Sequence, residues 1–184
     1  SFSPAASGHS ISALSSASSG YYDIFVAKVS SDGKWVWAVR AGGSSGDDIG
    51  ITSHADGSSV VTGYFSGTAS FPSTGSTFSL SAVSGSADVF VAKVSSNGIW
   101  EWAIRMGGSG TDYGYGVALL VDGSALVTGK FQSVASFGDR YSLSSLGNSD
   151  IFISKVPITG AVNWAVSAGG GSSAYGWGIT SHAD

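Results

Sequence analysis

Three histidines, twelve acidic residues and no cysteine are the stock from which this chain could build a catalytic or metal centre. The lack of cysteine rules out disulfides, thiolate ligands and a thiol nucleophile. The histidines are His9, His54 and His182. His54 belongs to Gly50-Ile51-Thr52-Ser53-His54-Ala55-Asp56, which recurs letter for letter at Gly178 to Asp184. The matching place in Gly116 to Asp122 is Leu120, and a position that accepts leucine reads as packing. Ser53, His54 and Asp56 are close along the chain, but a catalytic triad needs an imidazole that bridges its partners in space. Glu101 is the single glutamate and falls opposite Arg105 in strand parity, as a surface pair would. The paired carboxylates of a glycosidase have no counterpart here.

Two groups keep a chemical reading open. The glycine-rich links Gly42–Asp48, Gly107–Asp112 and Gly169–Ala174 carry Asp47, Asp48 and Asp112, oxygen donors that could hold Ca²⁺. EF-hand spacing is absent and the third link has no acid, so Asp and Ser capping the turn's own backbone is the preferred account. No Lys-Ser/Thr pair and no helix follows, so these links are not phosphate cradles. After the links come Tyr113, Tyr115, Tyr175 and Trp177, alternating with Gly114, Gly116 and Gly176. Alternate glycines imply close backbone approach. Aromatic rings on such a rim could stack on sugars, or could plug gaps between sheets.

These residues must be positioned by a chain of 184 residues, long enough for one domain with a sizeable core. Charged residues make up only 11% against 42% hydrophobic, so the chain is no disordered polyampholyte. Eight Lys and Arg are scattered singly in a chain of net charge −4, which argues against nucleic-acid binding. No apolar run approaches the roughly 18 residues of a membrane span. The opening Ser1-Phe2-Ser3-Pro4 shows neither the charged nor the apolar region of a signal peptide, and reads as a processing boundary. Low lysine and a Ser, Gly, Thr and aromatic bias suggest a secreted or cell-surface protein.

The elements repeat. Asp23-Ile24-Phe25-Val26-Ala27-Lys28-Val29 returns as Asp88 to Val94 and as Asp150 to Val156, with periods of 65 and 62 residues. Asp23, Asp88 and Asp150 each precede a lysine by five residues, which an ion pair or a strand-start hydrogen bond would explain. Trp37, Trp102 and Trp164 share one position, and Ser1-Phe2, Ser70-Phe71 and Ser136-Phe137 another. Asp32-Gly33, Asn97-Gly98 and Thr159-Gly160 mark hairpin turns, as do Asp56-Gly57 and Asp122-Gly123. Both faces of the Asp23–Val29 strand are apolar, as expected between two sheets. Each unit therefore offers four strands, in the middle copy near 48–55, 58–66, 87–95 and 99–106. A short run, Thr77 to Leu80, sits in the long connection. The expected fold is all-β: a β-propeller-like array of four-stranded antiparallel blades with the three Trp residues filling the space between them.

These ordered motifs, from Asp-Ile-Phe-Val-Ala-Lys-Val through Gly42-Gly43-Ser44-Ser45-Gly46-Asp47-Asp48 to Val61-Thr62-Gly63, resemble the SBBP β-propeller repeat family across all three units. The resemblance implies a bacterial secreted or cell-surface repeat protein with no assigned activity. The period is longer than the roughly 40–50 residues of common propeller repeats. The third unit replaces the arginine by Ser167 and the acidic pair by Ser173 and Ala174.

The expected layout is a partial blade at 1–41, full blades at 48–106 and 113–168, and the leading strand of the next at 175–184. Propellers close with 4–8 blades, so three units leave open edges that invite pairing. The expected partners are further copies of the repeat, in a longer chain or as a homo-oligomer or filament. The expected function is a non-catalytic structural or adhesive scaffold, with carbohydrate binding as the alternative. No cofactor is called for beyond the weak Ca²⁺ reading.

Overall fold

The computed structural model describes residues 23–43 and 50–182. Their strands are β1 (Ile24–Val29), β2 (Trp35–Gly43), β3 (Gly50–Ser53), β4 (Ser59–Ser66), β5 (Thr68–Ser73), β6 (Ser76–Ser81) and β7 (Ala87–Val94). There follow β8 (Trp100–Gly108), β9 (Tyr113–Leu119), β10 (Ala125–Phe131), β11 (Val134–Phe137), β12 (Tyr141–Ser144), β13 (Asp150–Val156) and β14 (Trp164–Ala168). They form three antiparallel sheets, and none closes on itself. The first runs β1-β2-β5-β6, the middle one β3-β4-β7-β8-β11-β12, and the third β9-β10-β13-β14. Among the described residues no helix is long and apolar enough to cross a membrane.

The four strands of the middle unit lie where the hydrophobic pattern puts them. The uniform four-stranded blade does not survive. The long connection between β4 and β7 is a hairpin, β5–β6, that reaches back and adds to the first sheet through Gly42 opposite Ser70 and Gly43 opposite Ala69. The connection between β10 and β13 does the same one unit later: β11 pairs with β8, Ser136 opposite Gly107 and Phe137 opposite Met106. Each of these hairpins is a latch by which one repeat extends the sheet of the repeat before it. The shared Ser-Phe positions 70–71 and 136–137 are latch residues; Ser1-Phe2 lies outside the described residues. The trailing segment expected as a strand at 175–184 is not one over 175–182, and its last two residues lie outside the description.

Two apolar cores bind the three sheets. Ile24, Val26, Ala41 and Phe71 of the first sheet pack on Val61, Phe65, Phe90, Val94 and Trp100 of the middle one. Val89, Val91, Met106 and Phe137 on its other side pack with Val127, Phe131 and Phe152. Alternate residues of β7 thus serve opposite cores, and all eight of its residues are buried.

The repeated tryptophan fastens successive hairpins. The Trp37 indole donates from Nε1 to the Ser96 carbonyl at 2.8 Å, and its ring covers Gly98. Trp102 donates to the Ile158 carbonyl at 2.8 Å and covers Gly160. A Cβ on Gly98 or Gly160 would come within 2.8 or 2.9 Å of the ring, which is why a glycine must stand there. Both also hold positive φ, +78° and +84°.

Candidate functional site

The four aromatic residues singled out by their alternation with glycine do meet. The glycines permit it: a Cβ on Gly114 would approach Val89 Cγ1 at 2.9 Å, and one on Gly176 would approach Ile151 Cγ2 at the same distance. The segment after Ala174 lies against the third sheet as β9 lies against the middle one. Gly176 donates its backbone N–H to the Gly129 carbonyl at 3.2 Å, and Ser181 Oγ donates to the Leu119 carbonyl. The rings then form one row. Tyr64 and Tyr113 have centroids 4.0 Å apart, and Tyr113 and Tyr115 6.0 Å. Tyr115 stacks on Trp177 at 4.4 Å, and Trp177 on Tyr175 at 5.7 Å. Lys130 Nζ stands 4.4 Å from the Tyr113 centroid and 5.3 Å from that of Tyr175. Trp177 is 67% exposed and Tyr175 41%, so the row ends in two open rings beside a cation.

Tyr64 and Lys130 escaped the sequence reading, although each follows a Val-Thr-Gly repeat, at Val61–Gly63 and Val127–Gly129. That shared phase is the signal that could have found them.

The acidic residues serve the backbone. Asp112 Oδ2 accepts the Gly108 N–H at 2.8 Å and Oδ1 the Gln132 N–H at 3.0 Å, so the side chain ties the link to the start of the latch. The turn-capping account applies to it. Among the described residues no three His, Asp or Glu side chains gather as a metal site, and Asp47 and Asp48 lie outside the description. Asp88 Oδ2 accepts Arg105 Nη1 at 2.7 Å and the Val83 N–H at 3.0 Å. Asp150 Oδ2 accepts the Leu146 N–H at 2.9 Å. The repeated aspartate is therefore a strand-start cap on the returning latch. The repeated lysines look elsewhere: Lys93 pairs with Glu101 and Lys155 with Asp122, each at 2.7 Å. The expected Glu101–Arg105 pair is thereby corrected, because residues four apart on a strand stand two pleats apart while Lys93 lies across the ladder.

Desolvation pushes the Asp112 carboxyl up to about 6, with the charge of Asp88 adding to the rise against its two backbone hydrogen bonds. Burial also raises Asp88, opposed by Arg105. His54 is half-buried beside the 121–123 turn: a Cβ on Gly123 would stand 3.8 Å from its Cε1. No family model matches this chain, and no curated protein matches it.

Proposed function

We propose that this chain is a non-catalytic, extracellular or cell-surface repeat scaffold of the SBBP β-propeller type, acting in structural assembly or adhesion. One observation carries the reading. The junction that fastens unit to unit occurs twice, and among the described residues one half of it stands without its counterpart in the first unit and another in the third. Trp164 occupies the place of Trp37 and Trp102, yet its indole N–H donates to no residue described. Gly33 occupies the place of Gly98 and Gly160, and a Cβ there would meet no atom of the described residues within 4 Å. Among the described residues no latch pairs with β14 as β5 pairs with β2 and β11 with β8. Further repeats complete all three, as nearest-neighbour stacking requires.

The test is a chain lengthened by one unit. A copy of residues 123–184 placed after Asp184 keeps the register, because Gly116–Asp122 matches Gly178–Asp184. The lengthened chain melts in one transition at least about 5 °C higher, on the scale of 2–4 °C per kcal/mol for this size. Trp164→Ala costs it more than it costs the original chain. An unchanged melting point, or two separate transitions, refutes the scaffold reading.

The aromatic row supports the second reading, a carbohydrate-binding surface with Trp177 and Tyr115 as the stacking platform. A glycan array gives a ligand that Trp177→Ala and Tyr115→Ala both weaken; absence of any ligand, or ligands indifferent to both substitutions, ends it.

A further inference from the structure

Trp100 fills the space between the first and middle sheets. It is 1% exposed, its ring meets Phe71 edge-on at 5.3 Å, and its Nε1 donates to the Arg40 carbonyl at 2.9 Å. Ser73, at the end of the latch strand β5, donates its hydroxyl to the Trp100 carbonyl. The matching residue one unit later is Val162. There the contact is reduced to the valine side chain against Gly138, where a Cβ would meet it at 3.2 Å. A cleft of about 670 Å³ opens at this place, within the size range of small-molecule sites. Its wall is Ile104, Tyr141 and Val162, and its rim is Asp139, Arg140 and Asn163.

Arg105 also lines the cleft, and in the register its backbone stands where Arg40 stands. Arg40 faces Phe25 as Arg105 faces Phe90. The acceptor that holds the Trp100 indole thus has a counterpart at a site whose own residue is too small to reach it. The cleft is open on one side and lined by both apolar and polar side chains, which suits a planar ring that carries a polar substituent. Arg140 is exposed and makes no ion pair with a described residue, so a cation flanks the opening.

We propose that this cleft binds an indole-type planar aromatic carrying a carboxylate. The ring takes the place of the absent indole, its N–H donates to the Arg105 carbonyl, and the carboxylate meets Arg140. Asp139 offsets part of the arginine charge, so the carboxylate adds a modest preference. The inference is independent of the scaffold reading, since it needs only the junction within this chain.

N-acetyltryptophan and its amide are the probes, titrated by calorimetry with amide NMR shifts followed at Gly138, Gly160 and Asn163. The acid mimics a free small molecule or a chain-terminal tryptophan; the amide mimics a tryptophan inside a chain. The acid binds saturably at one site with shifts confined to these residues, and the amide binds two- to fivefold more weakly. Arg140→Ala brings the acid down to the affinity of the amide. Val162→Trp, which restores the residue of the preceding junction, abolishes binding and raises the melting point; Val162→Phe blocks binding as well. No saturable binding of the acid up to about 10 mM overturns the proposal. So does equal affinity for the amide, or binding that survives in a folded Val162→Trp protein.

Discussion

Asp112 shows how a residue that reads as a loop acid can set the acid–base behaviour of a whole junction. Its carboxyl stands near 6 in the folded chain against 3.8 when exposed, with desolvation as the main cause. Between those values the folded state keeps a proton that the unfolded state has lost. Stability therefore falls as pH rises from about 4 to 6 and levels off above, by about 3 kcal/mol for a rise of this size. Asp88 moves in the same direction. Below about 4 the sign reverses, because Asp32, Asp56 and Asp122 are held low by hydrogen bonds and lose them on protonation. The melting temperature is thus highest near pH 4 and drops toward pH 7. Asp112→Asn removes most of the slope and is the less stable protein at pH 4.5, since its amide must turn a donor toward the N–H of Gly108 or Gln132. Melting curves from pH 3 to 8 check this, and a wild-type curve that rises from pH 4.5 to 7 contradicts it. The position of Asp112 was legible as a turn cap; its burial was not, because that depends on a latch arriving from 20 residues further on.

At the scale of elements, the strands that pair within a unit could be read from the chain, and the latches could not. Strands such as β4 and β7 are long, apolar and bounded by Asp-Gly or Asn-Gly turns. β11 and β12 are four residues each, with Ser136, Ser142 and Ser144 at alternate places. On an outer edge only every second residue touches the core, so such strands look like linker. Their energetic weight sits in few residues. Phe137 is 1% exposed and packs 5.0 Å from Phe152 and 5.9 Å edge-on from Phe131. Phe137→Ala is expected to cost about 3–5 kcal/mol in urea unfolding. It should also speed amide exchange in β11 and β12, because the strand loses its anchor in the core. Val134→Ala, at an outward position of the same strand, should stay within about 0.5 kcal/mol. Equal costs for the two would mean that the latch does not couple to the core.

For the molecule as a whole, what matters is how many neighbours each sheet has. The middle sheet carries a core on each face and a latch on its outer edge. The third has one core, the 175–182 segment against β9 and β10 and, among the described residues, no strand beyond β14. In a stack whose stability is the sum of units and interfaces, the sheet with fewer interfaces opens first. Native-state hydrogen exchange should therefore give a rank order: β14 amides fastest, β10 and β13 next, and β7 slowest, at the free energy of global unfolding. The periodicity of the sequence leads to the same gradient, because it says that each unit leans on the next, and among the described residues the third sheet shares a core on one side only. Residue composition separates the two strands less, since β13 repeats the pattern of β7 with Ser154 in the place of Ala92. Matching exchange rates in β7 and β13 would show that the shared strand pattern, and not the burial that a second stacked neighbour adds to β7, governs stability here; a slower β7 assigns that role to the stacking.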